Sequence, residues 1–356
     1  MRAQDLPSFK DMPTVQGMPQ GTSWGLWDKD GERDSCGTLN LLTPENTLEA
    51  RKEIKHGISF ALKCIFSYSS SMPYTVKSWD LECVHEPGFG REKPQHTIKN
   101  LKPMGFIAHD DIIHINTQSG SQWDGFRQSF PLDYLPWMTN PSSGHWGHQD
   151  TGLYYNNLAH DDITNPEHSH KNGIDHWTKR GGIVGRAVLI DYAAYCARRS
   201  INYSVTTRHE ITLEDIKTIA AEQGVEFRPA DILIVRSGFI QWYNGAGEDE
   251  RRKGVKNGHE FVGVRGDKEM VEWLWDNHFS AVAGDAIAWE AWPPKAPYRL
   301  HDHLLAMFGC PIGELWNLEE LSKVCEEKKQ YSFFLSSGPL NVHGGIGSPP
   351  NAVAIL

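Results

Sequence analysis

The sequence predicts an α/β domain with at least partly parallel strand pairing. Two observations carry that expectation. Compact apolar runs alternate with segments of helical periodicity through the second half of the chain. The helical segments after Thr212 and Asp267 open on a side chain of the type that caps a helix N-terminus. A third observation bears on organisation: neither an internal repeat nor a linker interrupts the chain. Residues 1–356 therefore read as one domain, with 1–23 as an N-terminal extension.

The elements follow in order. Residues 1–60 are rich in turns and tryptophan, with Trp24 and Trp27 in a Gly/Asp segment. Thr43-Pro44-Glu45 is a start signal, and a short helix is expected over Leu48 to His56. Residues 60–120 carry apolar runs broken by Pro and Gly, which read as strands and loops. Within them Asp110-Asp111 reads as a solvated turn before a strand from Ile112 to Ile115. Residues 128–180 are loop-like. Gly181-Gly182 reads as a turn into the buried strand Ala187-Val188-Leu189-Ile190. Thr212-Leu213-Glu214-Asp215 resembles a capping box, Leu213, Ile216, Ile219 and Ala220 recur at helical spacing, and Gly224 can close that helix. Asp231 to Val235 is the next strand. Asp267 can cap a helix with Met270, Val271, Leu274 and Trp275 on its apolar face, and Ser280 to Gly284 follows as a strand. Leu318 to Lys328 is a last amphipathic helix.

Composition excludes several classes. The chain has 35 Lys+Arg against 45 Asp+Glu, a net charge of −10, which argues against nucleic acid and anionic membranes as partners. No apolar run approaches the roughly 18 residues of a membrane span. The start, Met1-Arg2-Ala3-Gln4-Asp5, is polar and lacks a signal-peptide core, so a cytoplasmic enzyme is expected. Cys36, Cys64, Cys83, Cys196, Cys310 and Cys325 form no C-x-x-C pair, which suits reduced thiols. Phosphate-binding and nucleophile-elbow motifs are absent, and His209-Glu210 does not extend to H-E-x-x-H. The 17 histidines invite a metal-site hypothesis.

Two segments concentrate chemistry. One runs from Asn116 to Gly125 and contains Gln118, Gln122, Trp123 and Asp124. The other is His301-Asp302-His303-Leu304-Leu305 followed by Pro311-Ile312-Gly313-Glu314. With Gly182 to Asp191, Asp231 to Gly238, Ala283-Gly284-Asp285 and the tail from Gly338, these segments resemble the cyclase family, which includes kynurenine formamidase and isatin hydrolase. The resemblance runs from about Trp24 to the C-terminus and is nearest to fungal members. It implies a swivelling β/β/α domain, usually assembled as a homodimer or tetramer, with a small-molecule substrate.

Well-known members carry H-x-G-T-H-x-D-x-P-x-H, whose first two His and Asp bind a divalent metal and whose last His is the catalytic base. Here the two metal histidines fall on Gln118 and Gln122, the Asp on Asp124 and the last His on Gln128. The resemblance places the later ligand pair at His301 and Glu314, with His303 as a competitor. Glutamine amides are weaker donors than imidazoles, so no cofactor is the first expectation; zinc or manganese held by Asp124, His301 and Glu314 is the alternative. Gln128 is followed, after 128–144, by His145-Trp146-Gly147-His148-Gln149, which fits the fungal continuation. Residues 128–144 therefore read as an insertion and His145 as a candidate acid/base group. Gln118 and Gln122 offer amide donors to a carbonyl or oxyanion, Asp124 a base, His301 or His303 a proton. Trp123, Phe126, Arg127, Trp146, Tyr154 and Tyr155 are candidates to bind substrate, with ordinary packing as the other explanation. Three functions follow. The first is metal-independent cyclisation, dehydration or a pericyclic step on an aromatic or polyketide-like natural product of secondary metabolism. The second is metal-dependent hydrolysis of an amide or lactone. The third is non-catalytic binding of a small molecule.

Overall fold

The computed structural model describes residues 3–62, 91–92, 94–127, 148–168 and 170–356. The described residues form a nine-stranded mixed sheet. In chain order its strands are β1 (Ser59–Ala61), β2 (Gln122–Asp124), β3 (Ile183–Asp191), β4 (Ile232–Arg236), β5 (Ala281–Gly284), β6 (Ile312–Glu314), β7 (Ser332–Ser337), β8 (Gly347–Ser348) and β9 (Ala352–Ile355). Across the sheet they lie β1-β9-β7-β3-β4-β5-β6-β2-β8. The four central strands β3 to β6 pair in parallel. Antiparallel strands complete both sides: β7, β9 and β1 beyond β3, and β2 and β8 beyond β6. β4 is buried throughout and β3 nearly so, which is why both read as continuous apolar runs rather than alternating ones.

Helices connect the parallel strands, and their ends are fixed by local chemistry. Asp191 closes β3 and caps Tyr192–Arg199 by accepting from Ala194 N at 3.0 Å. The helix Leu213–Gln223 opens on a reciprocal box: Asp215 N donates to Thr212 Oγ1 at 3.1 Å and Thr212 N to Asp215 at 2.8 Å. It ends on Gly224, whose φ of +66° is the left-handed conformation that glycine adopts without strain. Asp267 caps Lys268–Asp276 through Met270 N at 2.9 Å, and Glu319–Lys328 is the last helix. The first helix departs from expectation. It spans Pro44–Ala50 and tightens into a 3-10 turn at Arg51–Glu53, because the Thr43 side chain accepts from Asn46 N and Pro44 takes the first position.

Buried ion pairs tie the layers together. Arg186 meets Glu53 at 2.9 Å and Asp231 at 2.6 Å, while Arg236 meets Asp191 at 2.8 Å and Glu319 at 2.9 Å. Outside the sheet, Gln95–Asn100 and His109–His114 form an antiparallel hairpin exposed along its whole length. This corrects the expected turn at Asp110-Asp111. Both residues lie inside a strand, where Asp110 opposes Lys99 and Asp111 accepts from His96 at 2.7 Å, so cross-strand charge supports extended backbone there. Among the described residues no helix is long and apolar enough to cross a membrane, and Cys36, Cys196, Cys310 and Cys325 are unbridged. Cys64, Cys83 and the insertion at 128–144 lie outside the described residues.

Candidate active site

The site grows from one strand pair. β2 runs antiparallel to β6 with Gln122 opposite Glu314 and Asp124 opposite Ile312. Side chains alternate across a strand, so Gln122, Asp124 and Glu314 share one face and Trp123 takes the other. On that other face Trp123 packs edge-on to Trp316 at 4.8 Å between centroids and donates to Ser337 Oγ at 2.9 Å. Only glycine fits opposite it: a Cβ on Gly313 would lie 2.7 Å from Ala283 Cβ and 2.8 Å from the Trp316 ring.

His301 approaches from the turn that leads into the π-helical segment Asp302–Phe308. Its placement is set by Glu290, which is almost fully buried. Glu290 accepts from His301 Nδ1 at 2.5 Å, from His301 N at 2.9 Å and from Leu300 N at 2.8 Å. The other ring nitrogen then faces the strand pair, 3.2 Å from Glu314 Oε1 and 3.9 Å from Asp124 Oδ2. Both glutamates that His301 contacts, Glu290 and Glu314, are flanked by strained backbone. Trp289 has φ of +49° and Leu315 has +55°, conformations that cost a non-glycine residue on the order of 1–2 kcal/mol. Buried contacts hold the second of these, since Ser121 Oγ donates to Leu315 O at 2.6 Å.

The two glutamines serve the carboxylates. Gln122 Nε2 donates to Glu314 Oε2 at 2.6 Å, and Gln118 Nε2 to Asp124 Oδ1 at 3.1 Å. Asp124 Oδ2 is buried with no hydrogen-bond partner among the described residues. Burial and the neighbouring Glu314 push the Asp124 carboxyl up to about 8. Burial alone would lower the His301 pKa; the hydrogen bonds to Glu290 and Glu314 overcome it and raise the pKa to about 10. At neutral pH His301 is therefore an imidazolium, and the Asp124 carboxyl is held near the range in which a group can both take up and return a proton.

Asp124, His301, Glu314, Gln118 and Gln122 come together as the sequence suggested. The remaining candidates do not join them. His303 is two residues beyond His301 on a helical turn and projects elsewhere. Its Nδ1 faces Arg299 O at 2.9 Å, and burial lowers its pKa to about 4, so it is neutral. The position of Trp123 corrects its grouping with the substrate-binding residues, for the reason of strand alternation given above. Phe126 is core, packed on Tyr155 and Trp177 at 5.1 and 5.2 Å, and Tyr155 donates to Asp34 at 3.0 Å. Arg127 donates to the main-chain oxygens of Gly344 and Ile163, and Tyr154 pairs with His160 at 2.9 Å. These five side chains are engaged in packing or in holding loops together. His145 and Trp146 lie outside the described residues. Sequence reasoning missed Glu290 and Arg91. Arg91 is half-buried beside the glutamines and donates to Gln118 O and, at 3.1 Å, to Gln122 Oε1. Neither residue belongs to a local motif; Glu290 is detectable only once the turn at Leu300-His301 is placed.

The profile of the family described as "Putative cyclase" matches residues 71–291. The chain belongs to the cyclase family. Among solved structures, this chain is similar to a protein described as a novel cyclase, with a TM-score of 0.69 and 26% identity over 94% of this chain and 99% of that one. An isatin hydrolase bound to the product analogue thioisatinate aligns at 14% identity and TM-score 0.48, covering 87% and 96% of the two chains. Isatin hydrolase A from Ralstonia solanacearum gives 15% and 0.47, covering 88% and 97%. No curated protein sequence matches significantly. The observed sheet and helices are the fold of the family, as the resemblance implied.

The family also raises the question of a metal. One ligand atom each from Asp124, His301 and Glu314 lies within 4.8 Å of the other two, all three buried. Two carboxylate oxygens and an imidazole nitrogen suit zinc or manganese. Asp124 Oδ2 has unused acceptor capacity, and the bond from His301 Nδ1 to Glu290 is the outer support that fixes a ligating imidazole. The donor set fits a divalent ion with three protein ligands.

Proposed function

We propose that this enzyme acts by its own acid–base groups on a small carbonyl compound, promoting cyclisation, dehydration or a related ring-forming step. One observation supports this above the others: His301 Nε2 lies 3.9 Å from Asp124 Oδ2, which has no hydrogen-bond partner among the described residues, in a buried site where both groups have a raised pKa. In a dehydration, the ionised Asp124 takes a proton from the carbon beside the carbonyl while His301 Nε2 gives one to the departing hydroxyl. Water leaves, a double bond forms, and the proton balance of the site is restored when Asp124 returns its proton to His301. General acid–base catalysis of this kind contributes roughly 10²–10⁴-fold. Similarity to the novel cyclase favours ring formation. An aromatic or polyketide-like substrate of secondary metabolism remains our reading of the resemblance to fungal members. A homodimer or tetramer is supported by the apolar side chains exposed on the hairpin, among them Ile98, Phe106, Ile107, Ile112 and Ile113.

Metal-dependent hydrolysis of an amide or lactone is the second reading, favoured by the convergence of Asp124, His301 and Glu314 on one point. A bound ion would polarise a carbonyl and acidify a water. In that setting Glu290 orients His301, and Gln118 and Gln122 hold the carboxylates by their outer oxygens.

Purified protein assayed on a panel of hydroxylated carbonyl compounds, lactones and formamides, before and after chelation, separates the two. The first reading expects turnover that survives chelator and falls at least about 100-fold in Asp124→Asn and His301→Ala. Turnover abolished by chelator and restored by zinc or manganese overturns it in favour of hydrolysis.

A further inference from the structure

Arg91 sits where the two halves of the site meet. It precedes the exposed hairpin, and Gln118 follows it, so the guanidinium clasps the two ends of that arm by donating to Gln118 O. The same Nη1 donates to Gln122 Oε1 at 3.1 Å. Gln122 passes the interaction on, since its Nε2 donates to Glu314 Oε2 at 2.6 Å. Gln118 in turn holds Asp124 at 3.1 Å. The Arg91 charge acts directly on Asp124 and Glu314. One guanidinium therefore acts on both carboxylates of the site through space, reaches Glu314 through the Gln122 amide, and holds the main chain of Gln118, the residue that bonds Asp124.

Asp124 and Glu314 share a buried face and repel one another. Such a pair is tolerated inside a protein only with positive charge close by. A divalent ion offers that charge by coordinating their oxygens. Arginine offers it permanently, because its guanidinium does not deprotonate in proteins. Two cations drawn to one carboxylate pair in a low-dielectric site oppose each other.

We propose that Arg91 is a second resident cation of this centre, beside His301, balancing Asp124 and Glu314 and competing with a divalent ion for them. The proposal rests on the reading of Asp124, His301 and Glu314 as one reaction centre. It makes Arg91 a positioning residue, acting on the reaction through those carboxylates.

The test compares full-length wild type with Arg91→Met, Arg91→Gln and Arg91→Lys, all stripped of metal. Zinc and manganese Kd values are measured at fixed neutral pH by competition with a chromophoric chelator. Folding is checked by circular dichroism. The two neutral variants are expected to bind zinc at least about tenfold more tightly than wild type, while Arg91→Lys stays within about threefold. Unchanged, weaker or undetectable binding in the folded neutral variants overturns the proposal. Failure of both neutral variants to fold overturns it as well, since Arg91 would then be a structural clasp. The affinity ratio is independent of whether turnover needs metal. A chelator-sensitive wild type would therefore refute the metal-independent reading while leaving this ratio to be decided on its own.

Discussion

Glu290→Gln is the perturbation with the most quantitative consequence. His301 carries a pKa of about 10 in the folded protein against an ordinary 6.5, despite burial that acts to lower it, because Glu290 and Glu314 hold the charged ring. By linkage that difference stabilises the fold by about 4 kcal/mol at pH 7. Glu290 also accepts from the main-chain N–H groups of Leu300 and His301 at 2.8 and 2.9 Å, and those bonds lose their charge assistance in the amide. A glutamine can retain one neutral hydrogen bond and Glu314 remains, so a loss of about 3 kcal/mol is expected at neutral pH. The sign of the pH dependence follows from a raised folded-state pKa. The contribution of the charged ring is fully present below 6.5 and is lost as pH rises through about 10. The gap between wild type and Glu290→Gln should therefore be widest in mildly acidic solution and close towards alkaline pH. Urea unfolding followed by tryptophan fluorescence at a series of pH values measures it. The difference between the proteins is the readout. Burial pushes the Cys36 and Cys310 thiols up to about 12, which destabilises both proteins alike at high pH. A gap that is constant with pH, or that widens as pH rises, refutes the assignment of His301 as an imidazolium held by Glu290.

Two further outcomes test the placement of residues. Trp123→Phe should cost about 1–3 kcal/mol of stability, through the lost bond to Ser337 and thinner packing on Trp316, yet leave KM within about twofold of wild type; a selective rise in KM with unchanged stability would return Trp123 to the substrate. Ile107→Asp, at a position 89% exposed on the hairpin, should leave the unfolding midpoint unchanged and shift the mass measured by light scattering from oligomer towards monomer. A wild type that is already monomeric, or a variant that stays assembled, would remove the hairpin from any interface.

Much of the α/β frame was legible because its signals are local. The Thr212 box, the Asp267 cap and the apolar runs of β3, β4 and β5 each declare an element within a few residues. Strands of two or three residues such as β1 and β8 carry too little pattern to be read, and exist because neighbours supply their hydrogen bonds. At the site, the cyclase resemblance brought out Asp124, His301 and Glu314. It also drew in Trp123, since a motif groups adjacent residues whereas a strand separates them. Glu290 and Arg91 were invisible for a different reason. Their roles are defined by main-chain atoms and amides far away in sequence, at Leu300, His301, Gln118 and Gln122, and no local spacing encodes such contacts.

Strand β2 has only three residues, and they divide their labour by parity. Gln122 and Asp124 face the candidate site, while Trp123 serves the core. A slip of one position against β6 would drive a carboxylate into Trp316 and bring an indole to Glu314, exchanging the two functions at once. Correct folding and correct active-site assembly are thus a single event at this strand. The burial of one large ring acts as a checksum on the two polar groups beside it, and a molecule that has passed it needs no separate step to bring them to the candidate site.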